Sequence, residues 1–126
     1  MLANPRPDLA ASDSALVTKA LVQAADRLNV TNRVLARIIG VSDATVSRMK
    51  RGGHPLEFGQ KPFQLAVLFI RFYRSLDALM GGDDEVSARW FANQNTALNG
   101  TPLELVQSVT GLMNVVSYLD ARRAVI

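Results

Sequence analysis

The sequence contains no cysteine and a single histidine, His54. Disulfide bonds and thiolate metal sites are therefore excluded, and the lack of cysteine suits a reducing cytoplasm. We find no cluster of metal-ligand residues and no glycine-rich loop that would hold a phosphate. The acidic run Asp83-Asp84-Glu85 is explained by capping of a helix N-terminus. The sequence therefore predicts no catalytic residue, no metal site and no cofactor, and we do not expect an enzyme.

Long hydrophobic runs are also missing. The longest strongly apolar run, from Phe63 to Ile70, is followed by Arg71 and Arg74 and is far shorter than the roughly 20 residues that a membrane span needs. The first fifteen residues lack the basic and apolar regions of a signal peptide. We therefore expect a cytoplasmic protein without a membrane partner.

The alternation of β-branched and polar residues that marks strands is missing as well, whereas apolar residues recur at helical spacing along most of the chain. We predict an all-α fold in which a helix-turn-helix bundle precedes a small helical module. The predicted division is a flexible N-terminus (1–13), a DNA-binding domain (14–61), a long central or dimerisation helix (62–82) and a C-terminal domain (83–126).

The stretch from Thr31 to Gly52 has the pattern of a helix-turn-helix. Two helices that cross closely need a small residue at the crossing and a glycine at the turn, and Ala36 and Gly40 fit these positions. Thr31 and Ser42 are the predicted N-caps of the two helices. Apolar residues stand at the inward positions of both helices: Leu35, Ile39, Val41, Val46 and Met49.

The second helix of this motif carries small polar and basic residues on its outward face. Small polar side chains let a helix read base edges in the major groove, whereas arginine and lysine contact phosphates. The candidate DNA-binding residues are Ser42, Asp43, Ala44, Thr45, Ser47, Arg48, Lys50 and Arg51. An ordinary helical hairpin with a solvated basic face is the alternative. The segments Gly40-Val41-Ser42 and Ser47-Arg48 resemble the helix-turn-helix of Xre-type, phage-repressor-like regulators, which implies binding to operator double-stranded DNA.

The predicted long helix begins near Pro62 and is apolar on nearly every side. Such a helix is either buried at the centre of a core or shared between two subunits. Helix-turn-helix proteins normally bind paired half-sites as two-fold dimers. We therefore expect a homodimer and regard this helix as a candidate seam, with the buried central helix as the alternative.

The C-terminal part is predicted to form three further helices. The second of them begins at the pattern Thr101-Pro102-Leu103-Glu104, which has the form of a capping box with proline at the first helical position. An asparagine-rich loop precedes this pattern, and Trp90 and Leu98 are the predicted anchors of the module. The last helix carries apolar residues at i, i+3, i+4 and i+7: Leu112, Val115, Val116 and Leu119.

Ten residues of this part carry a family resemblance: Trp90, Phe91, Asn95, Leu98, Gly100, Pro102, Leu103, Leu105, Gly111 and Val116. In this order they resemble the toxin-binding domain of the MbcA/ParS/Xre antitoxin family. The chain departs from the family pattern at Gln94, where proline is common, and at Asn99, where a second glycine is frequent.

This resemblance implies an antitoxin that pairs with a RES-domain toxin, an enzyme that consumes NAD or transfers ADP-ribose. It further implies that the C-terminal segment blocks the toxin's active site while the DNA-binding half represses the shared operon. Arginines at the tail suit a site built for the phosphates of NAD. The candidate toxin-binding residues are Trp90, Tyr118, Arg122, Arg123, Val125 and Ile126.

Two alternatives stay open at this point. The basic tail can be a frayed helix end whose charges stabilise the helix C-terminus. The whole chain can be a stand-alone Xre-family regulator whose C-terminal module serves dimerisation or the sensing of a small molecule.

Overall fold

The computed structural model describes the backbone of residues 7–125 and the side chains of residues 12–124. This part of the chain forms seven helices: α1 (Pro7–Arg27), α2 (Asn32–Ile39), α3 (Asp43–Lys50), α4 (Lys61–Leu79), α5 (Asp84–Ala92), α6 (Pro102–Leu105) and α7 (Val109–Val125). Its only β-type pairing is an isolated bridge between Asn95 and Gly100. The all-α prediction is confirmed.

The first helix begins earlier than the sequence predicts. We expected a flexible lead-in up to residue 13, but α1 starts at Pro7. Proline is favoured in the first turn of a helix because its φ angle is already helical and its missing N–H has no partner there, so Pro7 does not delay the helix. The remainder of the predicted lead-in, residues 1–6, lies outside the described residues.

The predicted caps of α2 and α3 are present. The Thr31 side chain accepts a hydrogen bond of 3.2 Å from the N–H of Val34, and Ser42 accepts one of 3.1 Å from Thr45. Gly40 ends α2 in the left-handed region with φ 76°, and its N–H donates to the Ala36 carbonyl at 2.8 Å. Since few other residues adopt this φ, the glycine allows the short turn between the two helices.

Helix α4 lies at the centre of the fold. It packs against α1, α2, α5 and α7, and Ala66, Phe69, Phe72 and Leu76 are fully buried along it. Within a single chain, α4 is therefore the buried central helix, which is one of the two alternatives that the sequence left open. One strip of α4 stays accessible, where Val67, Arg71 and Arg74 follow each other at helical spacing.

One cluster of buried side chains connects the two halves of the chain. The ring of Phe91 on α5 lies 5.4 Å from the ring of Phe72 and 6.5 Å from that of Phe69, measured between centroids. All three rings are at most 1% exposed. Aromatic packing of this kind fixes the C-terminal module on α4.

The predicted capping box at the start of α6 does not form. The N–H of Glu104 bonds to the backbone carbonyl of Thr101 at 2.9 Å, so it is not free for the Thr101 side chain. The Thr101 hydroxyl lies instead 3.5 Å from Oε1 of Gln94. Pro102 still stands at the start of this helix, as predicted, but α6 is a single turn of four residues.

Candidate functional site

Helix α3 presents the eight candidate DNA-binding residues at the surface. Val46 and Met49 are buried against the core, as predicted, and this fixes which side of α3 faces outward. The candidates are all at least partly accessible. Exposed are Ser42, Asp43, Ala44, Arg48 and Arg51, and half-buried are Thr45, Ser47 and Lys50. The chain therefore displays a short helix with hydroxyls near its start and guanidinium groups near its end.

Hydrogen bonds within α3 order several of these side chains. The hydroxyls of Ser42 and Thr45 lie 2.9 Å apart, and Arg48 donates to Thr45 at 3.2 Å. Arg51 donates to Ser47 at 3.0 Å. Ser42 is thus a structural cap as well as a candidate base-reading residue, whereas Arg48 and Arg51 keep donor groups for an anionic partner.

Lys50 differs from the other candidates because it contacts α1. Its Nζ atom lies 3.8 Å from Oδ1 of Asp26, and its side chain is only 26% exposed. This contact ties the end of α3 to the last turn of α1. The sequence did not indicate the pairing, since the two residues are 24 positions apart.

Two further basic side chains belong to the same motif. Arg33 and Arg37 on α2 are exposed. In a helix-turn-helix the first helix crosses the DNA backbone while the second enters the groove. These arginines therefore stand on the helix that would approach phosphates, although they were not among the candidate residues.

Phe91 anchors the C-terminal module and is buried more deeply than the two predicted anchors, Trp90 and Leu98. Phe91 is 1% exposed, whereas Trp90 and Leu98 are partly buried and pack against the core from its edge. Helix α5 carries both aromatic residues and packs against α1, α4 and α6. The partly exposed Trp90 thus keeps surface that a partner can contact.

The loop between α5 and α6 is built by asparagines, as predicted. Asn95 exchanges two backbone hydrogen bonds with Gly100, of 2.9 and 3.3 Å, and its side chain accepts from the N–H of Leu98 at 3.1 Å. Asn99 has φ 56°, a left-handed conformation that asparagine tolerates better than most residues. These asparagines therefore shape the loop.

The two tail arginines point to different neighbours. Arg122 donates to the Tyr118 hydroxyl at 3.2 Å, and its guanidinium carbon lies 5.5 Å from the centre of the Tyr118 ring. Arg123 donates instead to the Ser75 hydroxyl of α4 at 3.1 Å. The structure therefore brings Arg122 and Tyr118 together and separates Arg123 from them. The side chain of Val125 and the whole of Ile126 lie outside the described residues.

A polar cluster that the sequence did not indicate surrounds Ser75. Asp120 of α7 accepts a hydrogen bond of 3.0 Å from Ser75 and forms an ion pair with Arg71. Together with Arg123, these groups fasten the last two turns of α7 to α4. No local pattern could have revealed the cluster because its two helices are about 45 residues apart in the chain.

A second polar cluster joins α1, α4 and α5. The Tyr73 hydroxyl donates to Oδ1 of Asp84 at 3.0 Å and accepts from Arg27 at 3.3 Å. Burial raises the pKa of Tyr73 above its usual value of 10.0, Arg27 opposes this shift, and the hydrogen bond to Asp84 adds to it. Asp84 therefore serves this cluster, whereas Asp83 caps α5 by accepting from Val86 at 3.2 Å.

The described residues hold neither a metal site nor a membrane-spanning helix. Among the side chains of residues 12–124, no three or more histidine, aspartate or glutamate groups are placed so that they could hold a metal ion. Within residues 7–125, no helix has both the length and the apolar composition that crossing a membrane requires.

The geometry defines a helix-turn-helix protein that carries a second helical module. Comparison with protein families agrees with this description. The family described as the antitoxin Xre-like helix-turn-helix domain matches residues 9–71, and the antitoxin Xre/MbcA/ParS C-terminal toxin-binding domain matches residues 75–124. The chain belongs to the Xre-like antitoxins and combines the two domains in this order. No curated protein sequence matches it closely.

Both matches are to binding domains, which agrees with the expectation that the chain is not an enzyme. They meet within α4, after residue 71 and before residue 75. The central helix therefore contributes to both domains, and the resemblance seen in the sequence is confirmed on both sides of it.

Proposed function

We propose that this antitoxin neutralises a RES-domain toxin, an enzyme that degrades NAD or transfers ADP-ribose, by placing its C-terminal segment in the toxin's active site. The toxin-binding surface would consist of Trp90, Tyr118, Arg122, Arg123, Val125 and Ile126. The observation that carries the proposal is the form of the tail. Helix α7 continues to Val125, and residues 121–124 are all exposed. An accessible, cationic helix end suits a cleft that binds the phosphates of a dinucleotide.

The two arginines have distinct parts in this proposal. Arg122 stands on Tyr118, so its guanidinium is oriented but still exposed, and it is the group that would enter the anionic site. Arg123 is held by Ser75 and would keep α7 at a fixed angle to α4. The proposal therefore distinguishes a contact residue from an orienting residue within one turn.

In the DNA-binding half, we propose that a homodimer binds operator DNA and represses the operon shared with the toxin. Helix α3 would enter the major groove, with Arg48 and Arg51 near phosphates and Ser42, Asp43, Ala44, Thr45 and Ser47 near base edges. These side chains are exposed, or half-buried in the case of Thr45 and Ser47, and their accessibility supports the assignment. The ion pair with Asp26 leaves Lys50 as a weaker candidate for direct contact.

Co-expression with the RES-domain product of the neighbouring reading frame tests the toxin half. The variants are the full chain, a chain that ends at Asp120, and Arg122→Ala, with cellular NAD as the readout. We expect the shortened chain to co-purify with the toxin but to leave NAD consumption active, and Arg122→Ala to be intermediate. Full neutralisation by the shortened chain would contradict blockage by the tail. The absence of any RES-type neighbour would count against a RES-domain enzyme as the toxin.

A further inference from the structure

A groove of about 800 Å³ runs along the accessible strip of α4. Helix α1 forms one wall, and the last two turns of α7 form the other. Apolar side chains of α1 and α4 line its centre, namely Leu16, Val17, Ala20, Val67 and Ile70. Arg71, Arg74 and Arg123 stand around it with Asp120. We name this surface the α1/α4/α7 groove.

Two large apolar side chains of the groove are left in solvent. Leu16 is 62% exposed and Val67 is 45% exposed. Since they belong to neighbouring helices and line one groove, they form a joint apolar surface and not two scattered residues. A contiguous surface of this kind, rimmed by charged groups, is typical of a protein interface.

The charges of the groove are unbalanced towards the positive. Asp120, the one carboxylate among the described residues that line it, is already engaged by Arg71 and Ser75. Among the described residues Arg74 forms no ion pair. The occupant of the groove should therefore offer an apolar side chain and a carboxylate at a short spacing.

Helix α1 itself offers this combination. Asp13 is exposed, and it lies three residues before Leu16, which places both side chains on the same helical face. The Leu16 side chain thus lines the edge of the groove and also extends into solvent. A surface that holds both an apolar projection and a complementary recess can pair with its own copy around a two-fold axis.

We propose that the α1/α4/α7 groove is the homodimer seam, in which α1 of a second copy inserts Leu16 against Val67 and Ile70 and sets Asp13 near Arg74. The dimer is the one that operator binding requires, so this inference rests on the proposed function of the DNA-binding half.

Two contacts of α1 agree with the proposed pairing of Asp13 with Arg74 of the second copy. Thr18 of α1 accepts a hydrogen bond from the N–H of Leu56 in the loop that leads to α4, and Arg27 at the end of α1 contacts Tyr73 in the second half of α4. The early part of α1 therefore lies towards the segment that precedes α4, and the end of α1 lies beside the second half of α4. When two copies of α1 lie antiparallel across a two-fold axis, the residues before Leu16 approach the later part of the partner's α4, and Arg74 lies in that part.

The molecular mass of the full chain in solution tests the seam. The wild-type chain should sediment at twice its 13.7 kDa chain mass, and Leu16→Glu should sediment at 13.7 kDa. Met113→Glu is the matched control because Met113 is similarly exposed, at 54%, and lies outside the groove. A monomeric wild type overturns the proposal, and so does a Leu16→Glu variant that remains dimeric.

A charge exchange keeps the test valid if Leu16→Glu does not fold. Asp13→Arg alone and Arg74→Asp alone should each weaken the dimer at low salt, and the two changes in one chain should restore it. No restoration in the double variant contradicts the proposed register.

The toxin provides the remaining comparison. A Leu16→Glu monomer that still co-purifies with the toxin separates the seam from toxin binding and supports the proposal. If wild type is monomeric and Leu16→Glu abolishes co-purification, the groove receives a toxin segment and the proposed seam is wrong. Failure of the wild-type chain to bind any RES toxin would contradict the proposed function but not the dimer measurement.

Discussion

The Tyr73 hydroxyl donates a hydrogen bond of 3.0 Å to Asp84, and through this contact the central helix holds the start of α5. Arg27 approaches the same hydroxyl from α1, so one phenol joins three helices. Tyr73 is 7% exposed, whereas the side chains of Arg27 and Asp84 are 55% and 46% exposed. The two charged groups can therefore recover hydrogen bonds with water when the hydroxyl is removed.

Replacement of Tyr73 by phenylalanine should lower the free energy of unfolding by about 1 kcal/mol, since the ring stays packed and only the hydrogen bonds are lost. Urea titration monitored by circular dichroism measures the change. Tyr118→Phe is the matched control, because the one hydrogen bond of the Tyr118 hydroxyl within the described part of the chain comes from the exposed Arg122. We expect Tyr118→Phe to lower the free energy of unfolding by less than about 0.5 kcal/mol. Equal losses in both variants would contradict the structural role of Tyr73.

The same residue predicts a pH dependence at alkaline pH. The folded pKa of Tyr73 is raised above 10.0, mainly by burial, so the folded state holds the phenolic proton more tightly than the unfolded state. The stability from the neutral hydroxyl is complete below pH 10 and is lost as the pH rises through the raised pKa. Tyr73→Phe should remove part of this alkaline loss in unfolding measured between pH 8 and 11. An unchanged pH profile in the variant would exclude Tyr73 as its source.

The N-caps provide a paired test of two similar sequence signals. Thr31 caps α2 with its side chain, whereas Thr101 at the start of α6 makes no such bond. Thr31→Ala should therefore cost about 1 kcal/mol of unfolding free energy, and Thr101→Ala less than half of that. Urea unfolding of the two variants measures the difference. A larger loss at Thr101 would mean that the capping box forms in solution.

This pair also illustrates what the sequence can predict. Caps, a turn glycine and helical periodicity depend on residues within a few positions of each other, so α2, α3 and the turn at Gly40 were predicted closely. The conformation of the Thr101 side chain was not predicted. A backbone hydrogen bond within the same turn replaces the cap, and the residue types give no sign of it. The early start of α1 was missed because residues 1–13 were expected to form a flexible N-terminus, although proline suits the first turn of a helix.

In the candidate site, too, local features could be predicted from the sequence, whereas contacts between distant helices could not. The outward face of α3 could be predicted because Val46 and Met49 fix the inward face by their spacing. Contacts between distant helices could not, and they alter the roles of several candidates: Lys50 pairs with Asp26, and Arg123 with Ser75. Local periodicity places a residue on a face, but only the packing of helices decides what that face meets.

The junction of α6 and α7 depends on Gly111. A Cβ atom at this position would overlap the backbone carbonyl of Leu105, with 2.8 Å to its carbon atom. Backbone atoms cannot move aside as a flexible side chain can, so Gly111→Ala should destabilise the chain by about 1–3 kcal/mol and loosen the toxin-binding module. Gly53→Ala is the control, because its Cβ would meet nothing within 4 Å. Thermal unfolding of both variants measures the effect, and a stable Gly111→Ala would mean that the junction can open at little cost.

Arg48 provides the clearest test of the DNA-binding surface. It is exposed, oriented by Thr45 and close to the end of α3, and loss of one phosphate contact should weaken operator binding and reduce the slope of log K against log salt by about 1 per half-site. Arg89→Ala on α5 is the matched control, since that exposed arginine lies outside the helix-turn-helix. Changes at Ser42 or Ala44 should instead alter the preferred base sequence. Fluorescence anisotropy with operator DNA at several salt concentrations measures both effects. If operator affinity, salt slope and base preference stay unchanged in the α3 variants, α3 is not the recognition helix.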